Sequence, residues 1–160
     1  MRTEPQNEHQ WLHRLLGEWT CEIDVPGEPG QPPSRMTGTE SVRSLGGLWI
    51  LGEGRGEMPD GSVAASLITL GFNPQAKRFV GTWIGTMMTH LWVYDGQLDD
   101  AGRVLTLDSE GPAMSDDGTM ARYQDIIELV SDDHRVLTAR TVGPDGAWMQ
   151  FMRTDYRRTT

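Results

Sequence analysis

Cysteine is almost missing from this sequence: Cys21 stands alone among 160 residues. A single thiol excludes an internal disulfide and any cysteine-built metal cluster. Trp19 and Ile23, two positions to either side, suggest a buried and inert thiol. Lysine is equally scarce, with Lys77 standing against 13 arginines. Arginine suits planar, bidentate pairing, although a GC-rich genome explains the bias more simply. Positive charge is short overall, since 14 Lys and Arg face 23 Asp and Glu for a net charge of −9. An acidic surface repels nucleic acid and anionic membranes, so neither is expected as a partner. No apolar run approaches the length of a membrane span. The opening MRTEPQNEHQ holds no apolar leader core. A cytoplasmic protein is the expectation.

Helix signals are scarce too. Asn7 to Leu16 is the one helical stretch of any length, with Trp11, Leu12, Leu15 and Leu16 at helical spacing. Asn7 can cap it and Gly17 can end it. So short a helix is marginal alone and must dock, as a lid or plug over one end of a sheet structure.

Turn formers are plentiful, with 19 glycines and nine prolines spread along the chain. They imply many short elements. From Gly17 onward the chain reads as about ten strands separated by turns, Asn73-Pro74, Asp95-Gly96 and Gly143-Pro144-Asp145-Gly146 among them. No helical pattern lies between strands, which excludes a parallel sheet. The expectation is all-β: an antiparallel up-and-down barrel over 17–158, with a helix over 7–16, in a single domain spanning 1–160. A sandwich is the alternative, and the short, regular connections favour the barrel. Ten strands enclose more than the ~8 whose side chains can fill the interior, so room for a ligand is expected. The loop VPGEPGQPP, from Val25 to Pro33, is the longest irregular stretch and a candidate gate.

LLGEWTCEI sets Gly17-x-Trp19 just after the helix, and this resembles the calycin (lipocalin-like) barrels. The resemblance implies that Trp19 closes the barrel floor and that a late arginine, Arg157 or Arg158, packs across it. GTESVRSLGGLWILGEG, TLGFNPQAKRFVGTWI and MMTHLWVYDGQLD are similar to an uncharacterised bacterial domain-of-unknown-function family of that superfamily. That likeness runs from about Glu8 to Arg158. It implies a lipocalin-like barrel and brings no activity or catalytic residue with it. Some barrels of this class bind haem iron, which here would fall to His90, but one histidine is weak support. No cofactor and no metal are expected.

GTWIGTMMTHLWVYDG, from Gly81 to Gly96, reads as two strand-like runs and as the wall of a pocket. Met88, His90, Trp92 and Tyr94 share one parity, with Trp83 on the preceding run. Apolar bodies with polar tips line ligand pockets. Bulky core filling is the plainer reading of any one of them. In LWILGEGRGEM, Trp49, Leu51, Glu53 and Arg55 share a face opposite Gly52, Gly54 and Gly56. A Glu53–Arg55 pair at a barrel mouth could hold a polar ligand head, or could simply face solvent. Tyr123 and Asp125 share an inward-reading face, and Arg140 could oppose Asp125 or Glu53. His9 and His13 have i, i+4 spacing without a catalytic acid, which suits a solvated helix face.

The candidate ligand-binding residues are therefore Trp49, Glu53, Arg55, Trp83, Met88, His90, Trp92, Tyr123 and Arg140. The leading reading is binding of a small apolar or aromatic molecule inside the barrel. An enzyme using His90 with Asp125 or Glu53 as an acid–base pair is the second. A filled structural barrel that self-associates is the third, with outward Met87, Leu91 and Val93 as a homodimer contact.

Overall fold

The computed structural model describes residues 3–159. Met1, Arg2 and Thr160, at the ends of the expected domain, lie outside the described residues. Helix α1 spans Asn7–His13. Ten strands follow: β1 (Gly17–Val25), β2 (Ser34–Leu45), β3 (Trp49–Glu57), β4 (Val63–Asn73), β5 (Arg78–Gly85), β6 (Trp92–Leu98), β7 (Val104–Pro112), β8 (Met120–Ser131), β9 (His134–Val142) and β10 (Trp148–Arg158). Each strand pairs antiparallel with its sequence neighbours, and β1 also pairs with β10, so the sheet closes on itself. The up-and-down barrel is the observed architecture, and the sandwich is excluded. Closure gives every strand a partner on each side along at least part of its length.

The helix is shorter than 7–16 and is capped by Gln6 rather than Asn7. Docking, not capping, holds its seven residues. The Gln6 amide donates to His9 Nδ1 at 2.9 Å, and His9 Nε2 donates to the Phe72 carbonyl at 3.2 Å. Trp11 Nε1 donates to the Gly102 carbonyl at 2.7 Å, and His13 Nε2 to that of Gly47 at 3.1 Å. His9 therefore does not lie on a solvated face. It is 2% exposed, because its ring is the bolt between α1 and β4.

Beneath α1 the barrel is filled. Leu12, Leu15, Trp19, Ile50, Leu70, Phe79, Leu105, Leu107 and Ile127 form one buried cluster. Trp19 Nε1 donates to the Leu15 carbonyl at 2.9 Å. Of the two late arginines, Arg158 is the one that covers Trp19, with its guanidinium 4.2 Å from the ring centroid. The same guanidinium donates to the Leu16 carbonyl and, at 2.9 Å, to that of Arg14. One cation thus ties the last strand, the floor tryptophan and the end of the helix together.

Close backbone approach narrows this end. A Cβ on Gly81 would lie 2.0 Å from the Thr69 carbonyl oxygen of the paired β4. Gly81→Ala must therefore push backbone rather than a yielding side chain. It is expected to cost about 1–3 kcal/mol, as overpacking does. Urea unfolding measures this, and an unchanged midpoint would contradict the packing described.

Candidate functional site

The connections at the other end of the barrel follow β1, β3, β5, β7 and β9. They ring a mouth that opens into a lumen of about 590 Å³. Its rim is rich in thioethers: Met36, Met58, Met87, Met88, Met114 and Met152 all line it. Methionine is flexible and polarizable, so such a rim adapts its shape to an occupant. The 26–33 loop sits at this end, but none of its residues lines the cavity.

Below the rim runs a chain of edge-to-face rings. His90 and Trp92 are 4.7 Å apart, Trp92 and Tyr123 4.8 Å, and Tyr123 and Phe151 6.0 Å. Trp92 Nε1 donates to Met88 Sδ at 3.0 Å, and Tyr123 Oη donates to the Pro112 carbonyl at 2.5 Å. Both polar tips thereby have protein partners, and both rings line the lumen.

The wall is incomplete beside these rings. β6 and β7 pair only from Asp95 to Leu98 and from Leu105 to Asp108, whereas β7 stays paired with β8 out to Pro112. Toward the mouth the β6–β7 seam is open, and a second cavity of about 580 Å³ lies along its outside. His90, Ser109 and Tyr123 border both cavities. His90 sits in the seam, with Nε2 donating to the Glu110 carbonyl at 3.0 Å.

Two polar groups lie deeper. Arg135 and Glu40 form a buried ion pair, their side chains 5% and 11% exposed. The Arg135 guanidinium lies 4.6 Å from the Trp19 ring centroid and 3.8 Å from that of Tyr156. Tyr94 Oη donates to Asp125 Oδ2 at 2.5 Å. Asp125 is half-buried and borders the lumen. Desolvation raises its pKa from 3.8 to about 6, against the lowering effect of the Tyr94 bond. Burial, with Glu40 next, raises the Cys21 thiol to about 11, which keeps it a protonated wall group.

Of the residues singled out in the sequence, Trp83, Met88, His90, Trp92 and Tyr123 meet at this lumen. Met88 and His90 do so from the loop between β5 and β6 rather than from a strand. Trp49, Glu53 and Arg140 do not line the lumen, and Arg55 borders it only at the rim, with an exposed side chain. The glycine face of β3 points inward, where Gly52, Gly54 and Gly56 leave space. The charged face points outward, with Glu53 and Arg55 exposed and no ion pair between them among the described residues. Trp49 is 41% exposed and covers Gly71 across the β3–β4 ladder. Arg140 belongs to an outer network, donating to Gln124 Oε1 at 2.8 Å beneath Trp148. The sequence reading missed Glu40, Arg135, Tyr156 and Phe151. Counting alternate positions from Trp19 through the first hairpin lands on Thr39 and Ser41 instead, because the hairpin reverses the parity and pairs Trp19 with Glu40.

Among the described residues no hydrogen bond or ion pair joins His90 to Asp125 or Glu53. Glu53 is outside, Asp125 is held by Tyr94, and His90 is bonded to a backbone carbonyl. Among the described residues no three His, Cys, Asp or Glu side chains converge.

The family model described as "Protein of unknown function (DUF1579)" matches residues 4–158. The chain belongs to DUF1579. Among solved structures, this DUF1579 barrel is similar to Rv2717c from M. tuberculosis, with a TM-score of 0.63 and 14% identity. That match covers 98% of this chain and 100% of the other. It is also similar to EF1p2_mFAP2b bound to DFHBI, with a TM-score of 0.49, 13% identity, and 94% and 98% of the two chains covered. At such identities the likeness concerns the fold. No curated protein matches the sequence. Among the described residues no helix is long and apolar enough to cross a membrane.

Proposed function

We propose that this DUF1579 barrel binds a small apolar or aromatic molecule in its lumen. The observation that carries the reading is a cavity of about 590 Å³, walled by Trp83, Trp92 and Tyr123 and reached through a methionine rim. A filled structural barrel would pack this space as it packs the floor. Kinship with the lipocalin-like superfamily is part of the proposal, supported by Trp19 beneath Arg158. Bacterial origin and a cytoplasmic location stay with it as expectations. A homodimer contact is proposed as well, supported by the exposure of Met87, Leu91 and Val93 on one side of the mouth. Light scattering of wild type and Leu91→Glu tests that contact, and a monomer at every concentration would end it.

Naphthylethanol, an uncharged aromatic probe, tests the lumen reading. It is expected to bind saturably, one per chain, with a shift in tryptophan emission from Trp83 and Trp92. Leu137 lines the cavity and is only partly buried. Leu137→Trp should occupy the space and weaken the probe on the order of tenfold or more, about 1.4 kcal/mol. Absent saturation, or a Leu137→Trp variant that binds as well as wild type, would place the probe elsewhere and sink the reading.

A further inference from the structure

We propose that the ligand of this lumen carries a protonated amine on its apolar or aromatic body, and that Asp125 is its anchor. The inference rests on the lumen reading above and names the chemical class of the occupant.

The charges of the lumen decide it. The titratable and charged groups lining it are Cys21 on β1, Glu40 on β2, Tyr94 on β6, Asp125 on β8, Arg135 on β9 and Tyr156 on β10. Tyr123 and His90 lie nearer the mouth, and Arg55 and Glu57 border the rim with exposed side chains. Arg135 is the deep cation, and it is already answered. Glu40 neutralises it, and the Trp19 and Tyr156 rings lie against its guanidinium. Its Nε lacks a protein partner, but that atom is sealed from the cavity. At this depth an anionic ligand head finds no free cation among the described residues, and Arg55 is available only at the rim.

Asp125 is in the opposite position. An ionised carboxylate offers about four acceptor sites. Tyr94 occupies one, and among the described residues no Arg, Lys or His reaches Asp125. The group faces the cavity rather than packed protein. A partly desolvated carboxylate without a cation is costly, and a ligand ammonium would supply the missing charge. The raised pKa of about 6 is what such a lack of partner produces. Trp92, Trp83 and Tyr123 line the same lumen, and aromatic rings attract cations through their quadrupoles. The acidic protein as a whole favours approach of a cation.

Three probes of one shape test the proposal: naphthylethylamine, naphthylethanol and naphthylpropionate. Calorimetric titration at about pH 8 is expected to give the amine the tighter binding, on the order of tenfold over the alcohol. The carboxylate is expected to bind weakest. Asp125→Asn should collapse the amine-to-alcohol ratio toward one. Wild type alone supplies a second measurement that needs no folded variant. Amine affinity should rise between about pH 5 and about pH 7 as Asp125 ionises, whereas alcohol affinity should not. Equal binding of amine and alcohol, or a ratio that survives Asp125→Asn, would overturn the amine class and leave the lumen reading standing. Tightest binding of the carboxylate would overturn it as well. Failure of all three probes to bind would bring down the lumen reading itself, and this inference with it.

Discussion

Arg135→Met is expected to lower the unfolding free energy by about 3–5 kcal/mol, the usual cost of leaving one member of a buried ion pair alone. The side chains of Arg135 and Glu40 are both largely shielded from water. Removing the guanidinium leaves the Glu40 carboxylate in a desolvated wall, and it also strips a cation from between Trp19 and Tyr156. The second loss adds about 0.5–2 kcal/mol for each ring contact. Methionine keeps much of the volume, so the charge rather than a cavity carries the effect. A double variant separates the causes. Glu40→Gln combined with Arg135→Met should recover much of the loss, since a neutral pair of similar shape removes the stranded charge. Urea unfolding of the two single variants and the double variant gives the cycle. Additive losses would mean that the two groups do not act as a pair.

The barrel was legible because the features that set it are local. Turn residues at near-regular spacing, the lack of helical pattern after Gly17 and the Gly17-x-Trp19 start each act over a few residues. Closure then follows from the number of strands. The lumen was legible only in part, because inward and outward depend on parity and parity depends on register. On β10, Trp148 and Gln150 face outward, and a bulge at Phe151 then turns Met152, Thr154 and Tyr156 inward. Both Phe151 and Met152 reach the cavity at that point. Nothing in AWMQFMRTDYRR marks the bulge, since apolar residues occupy both parities. The same step makes Arg158 rather than Arg157 the partner of Trp19. On β3 the error had another source. A face of alternating glycines looks like the outside when it is judged by what it lacks. In a barrel the inside is the crowded side, and Gly52 gives room to Ile68 and Glu40. The Arg135–Glu40 pair joins residues 95 positions apart, a separation across which alternation alone carries no signal.

Wild-type stability should rise as the pH falls from about 7 to about 4, and Asp125→Asn should remove that rise. The folded protein holds Asp125 at about 6, whereas the ordinary value is 3.8. Above about pH 6 the carboxylate is ionised in both states, and the folded state bears the full cost of desolvating it. Below about pH 4 it is protonated in both, and the cost is gone. The difference amounts to about 3 kcal/mol at most, at roughly 1.4 kcal/mol for each tenfold change in proton affinity. The groups sharing the lumen with Asp125 are Tyr94, Tyr156, Cys21, Glu40 and Arg135, with Tyr123 and His90 toward the mouth. Burial raises Tyr94, Tyr156 and Cys21 further from this window. Asp155, on the outer face of β10, works in the opposite sense and lower down. Arg153 first, with His134, draws it to about 2, so its contribution is present above about pH 4 and is lost as the pH falls toward 2. The two windows meet without overlapping. Urea midpoints at about pH 7, 5.5 and 4 for wild type and Asp125→Asn measure the first window, and parallel slopes would remove Asp125 as its source. The same linkage joins stability to binding. A bound ammonium needs Asp125 ionised, so naphthylethylamine should stabilise the barrel more at about pH 8 than at about pH 5. An uncharged ligand has no such preference, and its stabilisation should show no matching rise with pH.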